Sequence, residues 1–415
     1  MDDKSNIDRL AYTSALSEDE QEKTAAQETI HELAKNAGIY SQSMYEIYMA
    51  FGRGELSGFT VPAINVRMLT YDFAQRAFKL AIKHNVGCIV FELANSEQQY
   101  THQPPSEFSA SILAGALKAG YKGPVFLQGD HYQMKADIFK TSPEQEMSRI
   151  KELIKKSIDG LFFNIDIDGS TLVDLEKTTL DDQQVNNYTI TALMTKYIRS
   201  LQPEGISVSI GGEIGHIGGI NSTVEDFHAF MKGYLRELGD TDIKGISKVA
   251  IQTGTSHGGT PNADGSLAAV SIDFKAIKDI GEVAREQYGL GGPVQHGAST
   301  LPDELFGTFP ECKTLEIHLA TEFQNIAYAH MNNELKEKMW AWLREHAQEE
   351  MKEGMTDEQF IYKARKKAWG NFKKEVWMLP QEEKDRILDA IEEKLENLFT
   401  TLHVTQTKDA VARFV

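Results

Sequence analysis

The stretch Val125-Phe-Leu-Gln-Gly-Asp-His131 is a short apolar run that ends in a carboxylate and an imidazole. Its length and its bounding glycine suit a buried strand. It places a candidate general acid or base, Asp130, next to a candidate metal ligand, His131. Three further sites repeat the arrangement: Glu213 in Gly211-Gly-Glu-Ile-Gly-His-Ile-Gly-Gly219, His257 in Gly254-Thr-Ser-His-Gly-Gly259, and His296 in Val294-Gln-His-Gly-Ala-Ser-Thr300. Each follows a strand-like segment and is closely followed by glycine. Three imidazoles with carboxylates fit a catalytic zinc-type centre, where three protein ligands leave one coordination position open. Any one of these histidines alone would more often be an ordinary polar residue. Recurrence in one context favours a site.

Outward from these points, eight strand candidates alternate with amphipathic segments. The strands are Thr60–Val66, Cys88–Leu93, Val125–Gly129, Gly160–Ile165, Ser207–Ile210, Lys248–Gln252, Pro293–His296 and Thr314–Leu319. The helices between them include Tyr71–His84, Glu107–Ala119, Glu144–Ser157, Ile190–Leu201, Val224–Leu238, Asp273–Gln287 and Thr321–Met331. Their apolar positions recur at helical spacing. Eight β-then-α units predict an α/β fold, a (β/α)8 TIM barrel, with its active site where strands end and βα loops begin. All the candidate residues fall at such ends.

The expected organisation is an N-terminal helical arm (residues 1–43), a catalytic barrel (44–332) and a C-terminal helical extension (333–415). The arm is polar and acidic, with Ser17–Lys23 leading into a helix through Ala37. The extension predicts helices over Asn333–Glu353, Asp357–Met378 and Gln381–Leu402, whose Trp340, Trp342, Trp369 and Trp377 would pack on the barrel or a second subunit. The basic run Lys363-Ala-Arg-Lys-Lys367 reads as a solvated helix face from which one cation could reach a substrate phosphate.

A 415-residue chain with 41% hydrophobic residues can fill one large core. Its formal net charge of −18 argues against nucleic acid or an anionic membrane surface as a general partner. An anionic substrate would then need local help from amides, helix N-termini or a metal. The two cysteines make no disulfide framework, and Cys88 sits in an apolar run, which suits a reduced compartment. The N-terminus lacks signal-peptide regions, and no apolar stretch approaches a membrane span. The expected location is cytoplasmic.

Taken in order, these motifs resemble the class II (metal-dependent) fructose-bisphosphate and tagatose-bisphosphate aldolases over about residues 44–330. The resemblance rests on Val61-Pro-Ala-Ile-Asn-Val66, Asp130-His131, Asp168-Gly-Ser170, Glu213-x-Gly-x-x-Gly-Gly219, Gly254-Thr-Ser-His-Gly258, His296-Gly-Ala-Ser299 and Leu319-Ala-Thr-Glu322. It implies that His131, His257 and His296 hold Zn2+ or another divalent ion, with Glu213 as a nearby ligand or second-site carboxylate. A monovalent cation is a further candidate cofactor. Asp130 would move the proton on the C4 hydroxyl of a phosphorylated ketose. Asn65, Gly258, Gly297, Ser299, His318 and Thr321 would contact substrate, the small residues offering amides and hydroxyls to a phosphate. The default reaction is cleavage of fructose 1,6-bisphosphate into dihydroxyacetone phosphate and glyceraldehyde 3-phosphate. The partner is thus a small phosphorylated sugar, and the expected assembly a homodimer or higher homo-oligomer.

Three departures from the family pattern concern substrate handling. The family's mobile acidic loop after Gly219 is missing, since the sequence predicts a helix that starts at once with Ser222 or Thr223 as its N-cap. His216 or Glu225 would have to replace the loop's base, although capping suits Glu225 better. His318 stands where relatives carry an asparagine that meets the ketose donor, and Ala94 where they commonly carry serine. A divergent aldolase acting on a different ketose phosphate or substituted ketose therefore stays open, as does a non-catalytic metal-binding barrel.

Overall fold

The structure, a computed structural model, describes residues 3–215, 220–239, 242–255 and 271–415. Its strands are β1 (Ile39–Ser41), β2 (Val61–Asn65), β3 (Val90–Ala94), β4 (Gly123–Gln133), β5 (Asn164–Asp168), β6 (Ser209–Glu213), β7 (Lys248–Ile251), β8 (Pro293–Gln295) and β9 (Glu316–Leu319). Every pairing is parallel, and β2 through β9 close into a ring through the β2–β9 and β4–β5 pairs. Sequence neighbours are ring neighbours and helices cross between them, which is the TIM barrel expected from the alternation.

Several boundaries differ from the sequence expectation. β5 starts at Asn164 instead of Gly160, because the chain still turns at Leu161, whose φ is 68°. The helix expected from Ile190 begins ten residues earlier at Leu180, where the Thr179 hydroxyl caps the Asp182 amide. The arm holds two helices, Asp3–Leu16 and Glu20–Asn36, where one was expected. It also contributes β1, which pairs with the first residues of β4 outside the ring. The segment expected as one helix from Asp357 to Met378 is a zigzag: Asp357–Ala364, a tight turn at Arg365–Lys367, Ala368–Asn371 and Lys373–Trp377. Trp369 and Trp377 are both buried by it, and the Trp377 ring meets Tyr12 of the arm edge-on at 5.4 Å.

The last long helix, Gln381–Thr401, lies along Thr70–His84 of the barrel. Arg76 reaches Asp385, Asp389 and Glu392 at 2.7–3.0 Å. Such partly exposed pairs contribute up to about 1 kcal/mol each. The buried stripe Ile387, Leu388, Ile391, Leu395 and Leu398 contributes more, at about 1.5–3 kcal/mol per side chain. No described helix is long and apolar enough to cross a membrane.

The barrel interior is not apolar. Glu92, Gln128, Lys248 and Glu316 are fully buried. The Lys248 ammonium donates to Gln128 Oε1 at 2.8 Å, to Asp166 Oδ2 at 3.0 Å and to Glu316. Desolvating such ions costs several kcal/mol each, so the arrangement holds only because each charge finds a partner.

Candidate active site

Successive side chains of a strand point to opposite faces, yet Asp130 and His131 line the same cavity. A bulge near the end of β4 makes this possible. The β4–β5 register shifts between Gly129 and Tyr132, and His131 takes the left-handed conformation with φ 45°. A Cβ on Gly129 would lie 2.3 Å from the Tyr132 ring, so the bulge requires glycine there. A left-handed histidine costs on the order of 1–2 kcal/mol, strain of the kind kept where a side chain must be aimed.

His131 and His296 are neighbours across the barrel mouth. His131 Nε2 lies 2.9 Å from His296 Nδ1, and His131 Nδ1 lies 3.0 Å from Glu213 Oε2 and 3.2 Å from Asp168 Oδ2. His296 sits just past β8, where Gly297 turns the chain at φ 70°. Asp168 is anchored by Ser170 and Gln133, and so orients the His131 ring from behind. Burial is the largest influence on Asp168, but His131 and Ser170 overcome it and hold the carboxyl at about 2. Burial and then Asp168 push Glu213 up to about 8, despite His131.

Ligand atoms of His131, Glu213 and His296 lie within 4.8 Å of one another, and so do those of Asp130, His296 and His318 and of Asp166, Glu316 and His318. The first set fits a divalent ion best. Glu213 Oε1 is buried without a hydrogen-bond partner among the described residues, an oxygen a cation would satisfy. The third set already holds a cation, the Lys248 ammonium. In the second set Asp130 and His318 are spent on each other, with Asp130 Oδ1 3.1 Å from His318 Nδ1.

Asp130 is buried at the cavity floor. Its Oδ2 accepts from Asn65 Nδ2 at 3.0 Å. Burial alone would raise its acidity constant, but His131, His318 and His296 pull it well below the usual carboxylate range. His318 is also buried, with Nε2 2.7 Å from Glu316 Oε1 and Nδ1 3.0 Å from Glu92 Oε1. Burial opposes its charge, yet Glu92 and Asp130 raise it well above an ordinary histidine.

The cavity has a volume of about 550 Å³. One side is the barrel mouth, with Asn65, Asp130, His131, His296, Gly297, Ser299, His318 and Thr321. The Thr321 amide donates to Ser299 Oγ at 3.2 Å, so the last two βα loops are tied together. The lining also carries several cations. Arg67, Lys135, Lys363 and Lys366 all line the cavity, although the chain as a whole is strongly acidic. Arg67 pairs with Glu97 at 2.6 Å and Lys363 with Glu350 at 3.2 Å. Lys366 is half-buried, lies 5.9 Å from the Tyr100 ring centre, and makes no ion pair among the described residues. Burial and the neighbouring Arg67 lower its proton affinity.

His257 and Gly258 lie outside the described residues, as does His216. The N-cap of the helix from Val224 is Thr223, and its capping-box partner is Asp226, not Glu225. Glu225 is exposed in the first turn and does not line the cavity. Ala94 lines the cavity, with Ser96 two residues on. The basic run is not a uniform solvated face. Lys363 and Lys366 turn to the cavity, Lys367 pairs with Glu349 and Glu350, and Arg365 bonds Asn325. Glu97 and Tyr100 were missed because they reach the site on a short helix, Asn95–Tyr100, inserted after β3, and Arg67, just past β2, because only its pairing with Glu97 marks it.

A family model described as fructose-bisphosphate aldolase class-II matches residues 49–367. Among solved structures, a fructose-bisphosphate aldolase from Campylobacter jejuni is 18% identical, with a TM-score of 0.53, covering 89% of this chain and 96% of its own. A protein described as a probable tagatose 6 phosphate kinase from Sinorhizobium meliloti is 13% identical, with a TM-score of 0.61, covering 82% of this chain and 100% of its own. One name is a lyase and the other a kinase, so these two likenesses carry the fold and not the reaction.

Proposed function

The chain belongs to the class II fructose-bisphosphate aldolase family, and on that premise we propose that it catalyses the reversible, metal-dependent aldol cleavage of a phosphorylated ketose. The observation that carries this reading is the β4 bulge, which turns a carboxylate and an imidazole toward one cavity beside His296 and Glu213. His131, His296 and Glu213 would hold the divalent ion, which supplies Lewis-acid polarisation of the ketose carbonyl when bound. Asp130 takes the C4 hydroxyl proton in cleavage and returns it in condensation. Its buried position on the cavity, beside the proposed metal ligands His131 and His296, suits a base of this kind. Asn65 steadies it from one side, and Asp168 keeps the His131 ring in place.

The alternative aldol chemistry uses a neutral lysine as a nucleophile. Lys248 is unsuited to it. It does not line the cavity, and although burial would lower its proton affinity, Asp166 and Glu316 raise it above an ordinary lysine. The cations lining the cavity support a substrate that carries an anionic group, for which fructose 1,6-bisphosphate is the default. The deciding experiment is a product assay with metal-loaded protein over a panel of ketose mono- and bisphosphates. Release of an aldehyde and a three-carbon ketone from one of them is expected. No turnover across the panel would favour the non-catalytic barrel.

A further inference from the structure

We propose that His318 is a positioning residue for Asp130: its imidazole, clamped from below by Glu316, fixes one carboxylate oxygen while Asn65 fixes the other. The inference rests on the proposed reading of Asp130 as the group that moves the hydroxyl proton. Asp130 Oδ1 lies 3.1 Å from His318 Nδ1, and Oδ2 accepts from Asn65 at 3.0 Å. A carboxylate has about four acceptor directions, so two remain for a substrate hydroxyl and the carboxylate plane is set. The clamp continues inward. His318 Nε2 lies 2.7 Å from Glu316 Oε1; Glu316 is held by Tyr48 and Lys248; Lys248 is held in turn by Gln128 and Asp166. All of these groups hang from barrel strands or the helix Tyr45–Gly52, and β9 carries both Glu316 and His318 on its inward face.

The same geometry argues against the two other roles open to this histidine. Both ring nitrogens face carboxylates, so neither is directed at a ketose in the cavity. To ligate a metal, the ring would have to release Asp130 or Glu316, although its centre lies only 4.1 Å from that of His296.

Two substitutions separate the two ends of the imidazole. In His318→Asn the amide falls near the Nδ1 position, so a donor to Asp130 survives and the link to Glu316 is lost. In His318→Gln the longer amide falls near Nε2, so Glu316 keeps its partner and Asp130 is released. The positioning role predicts that kcat in His318→Gln falls by roughly 10–100-fold while KM stays within about threefold, as expected when a reacting group is misaligned by an ångström or less. His318→Asn should recover most of that loss, and metal content measured by elemental analysis should match wild type in both. Three outcomes overturn the proposal: unchanged kcat in His318→Gln, a raised KM at unchanged kcat (a substrate contact), or loss of bound metal (a ligand). If His318→Gln does not fold, a crystal structure and kinetics of His318→Asn decide, since an amide seen on Asp130 with collapsed turnover would refute it. A metal-loaded wild type that cleaves no ketose overturns the proposed function and this role with it. An active wild type beside an unimpaired His318→Gln overturns only the role.

Discussion

His131 Nε2 and His296 Nδ1 face each other at 2.9 Å, a separation at which two imidazole nitrogens share either one proton or one cation. The carboxylate of Glu213 beside them, with one oxygen buried and unpartnered among the described residues, weights the pair toward a cation. Purified protein should therefore carry about one tightly bound divalent ion per chain, removable by chelator. His296→Ala should abolish binding, and Glu213→Gln should weaken it. Stoichiometric metal in both variants by elemental analysis would remove this site from consideration.

Asp130 and His131 are adjacent in sequence but differ in task, so they should separate by mutation. Asp130→Asn keeps the side-chain shape and removes the proton acceptor. Turnover should fall by roughly 10²–10⁴-fold, the usual contribution of a general acid–base group, while metal content stays at the wild-type level. Turnover within a few-fold of wild type would take Asp130 out of the chemistry.

The ring of eight strands was legible because short strand-like runs recur between segments whose apolar residues keep a helical period. The candidate ligands were legible because strand, histidine or glutamate, and glycine recur together. Other parts depend on geometry that no local pattern encodes. The left-handed φ of His131 decides that Asp130 and His131 share a cavity, yet the sequence shows only two adjacent polar residues. Glu92, Asp166, Lys248 and Glu316 read as ordinary alternating polar positions; they are interior because they satisfy one another across the ring. Lys366 reads as surface until the zigzag from Asp357 folds it over the mouth.

Lys248 gives a direct check on the class of chemistry. A lysine that forms an imine with a ketose is trapped irreversibly by borohydride. Lys248 is held protonated by Asp166 and Glu316 away from the cavity, and the metal route needs no imine at the cavity lysines Lys135, Lys363 and Lys366, so borohydride with substrate should leave the chain unmodified by intact-mass spectrometry. A stable adduct, on Lys248 or on a cavity lysine such as Lys366, would replace the metal route with an imine route.

His31 in the arm gives a pH dependence that does not involve the site. Its Nε2 is buried with no hydrogen-bond partner among the described residues. Burial lowers its proton affinity below the ordinary value of 6.5, with Glu28 offsetting only part. The folded value thus lies below the unfolded one. The stability contribution is complete above the unfolded value and is lost as pH falls through the folded value. Urea midpoints at about pH 7.5 and about pH 5.5 should drop more in wild type than in His31→Leu, which removes this titration. Equal drops would show that His31 is solvated in the folded chain.

Lys366 should read the far end of the substrate. It is half-buried, has no carboxylate partner among the described residues, and shares the cavity with Arg67, Lys135 and Lys363 in a chain of net charge −18. Burial first and the neighbouring Arg67 second lower the proton affinity of Lys366; a bound dianion offsets both. A charge-assisted hydrogen bond contributes about 1.5–3 kcal/mol, or about 10–150-fold in affinity. Lys366→Met should therefore raise KM for a ketose bisphosphate about tenfold or more, while KM for the matching monophosphate lacking the distal group stays within about twofold. Added salt should narrow the difference, because a site open to solvent at its mouth is screened. Arg67 is a poorer probe, since its removal would also strand the buried Glu97. If both substrates lose affinity equally in Lys366→Met, the lysine supports the cavity wall and does not meet the phosphate.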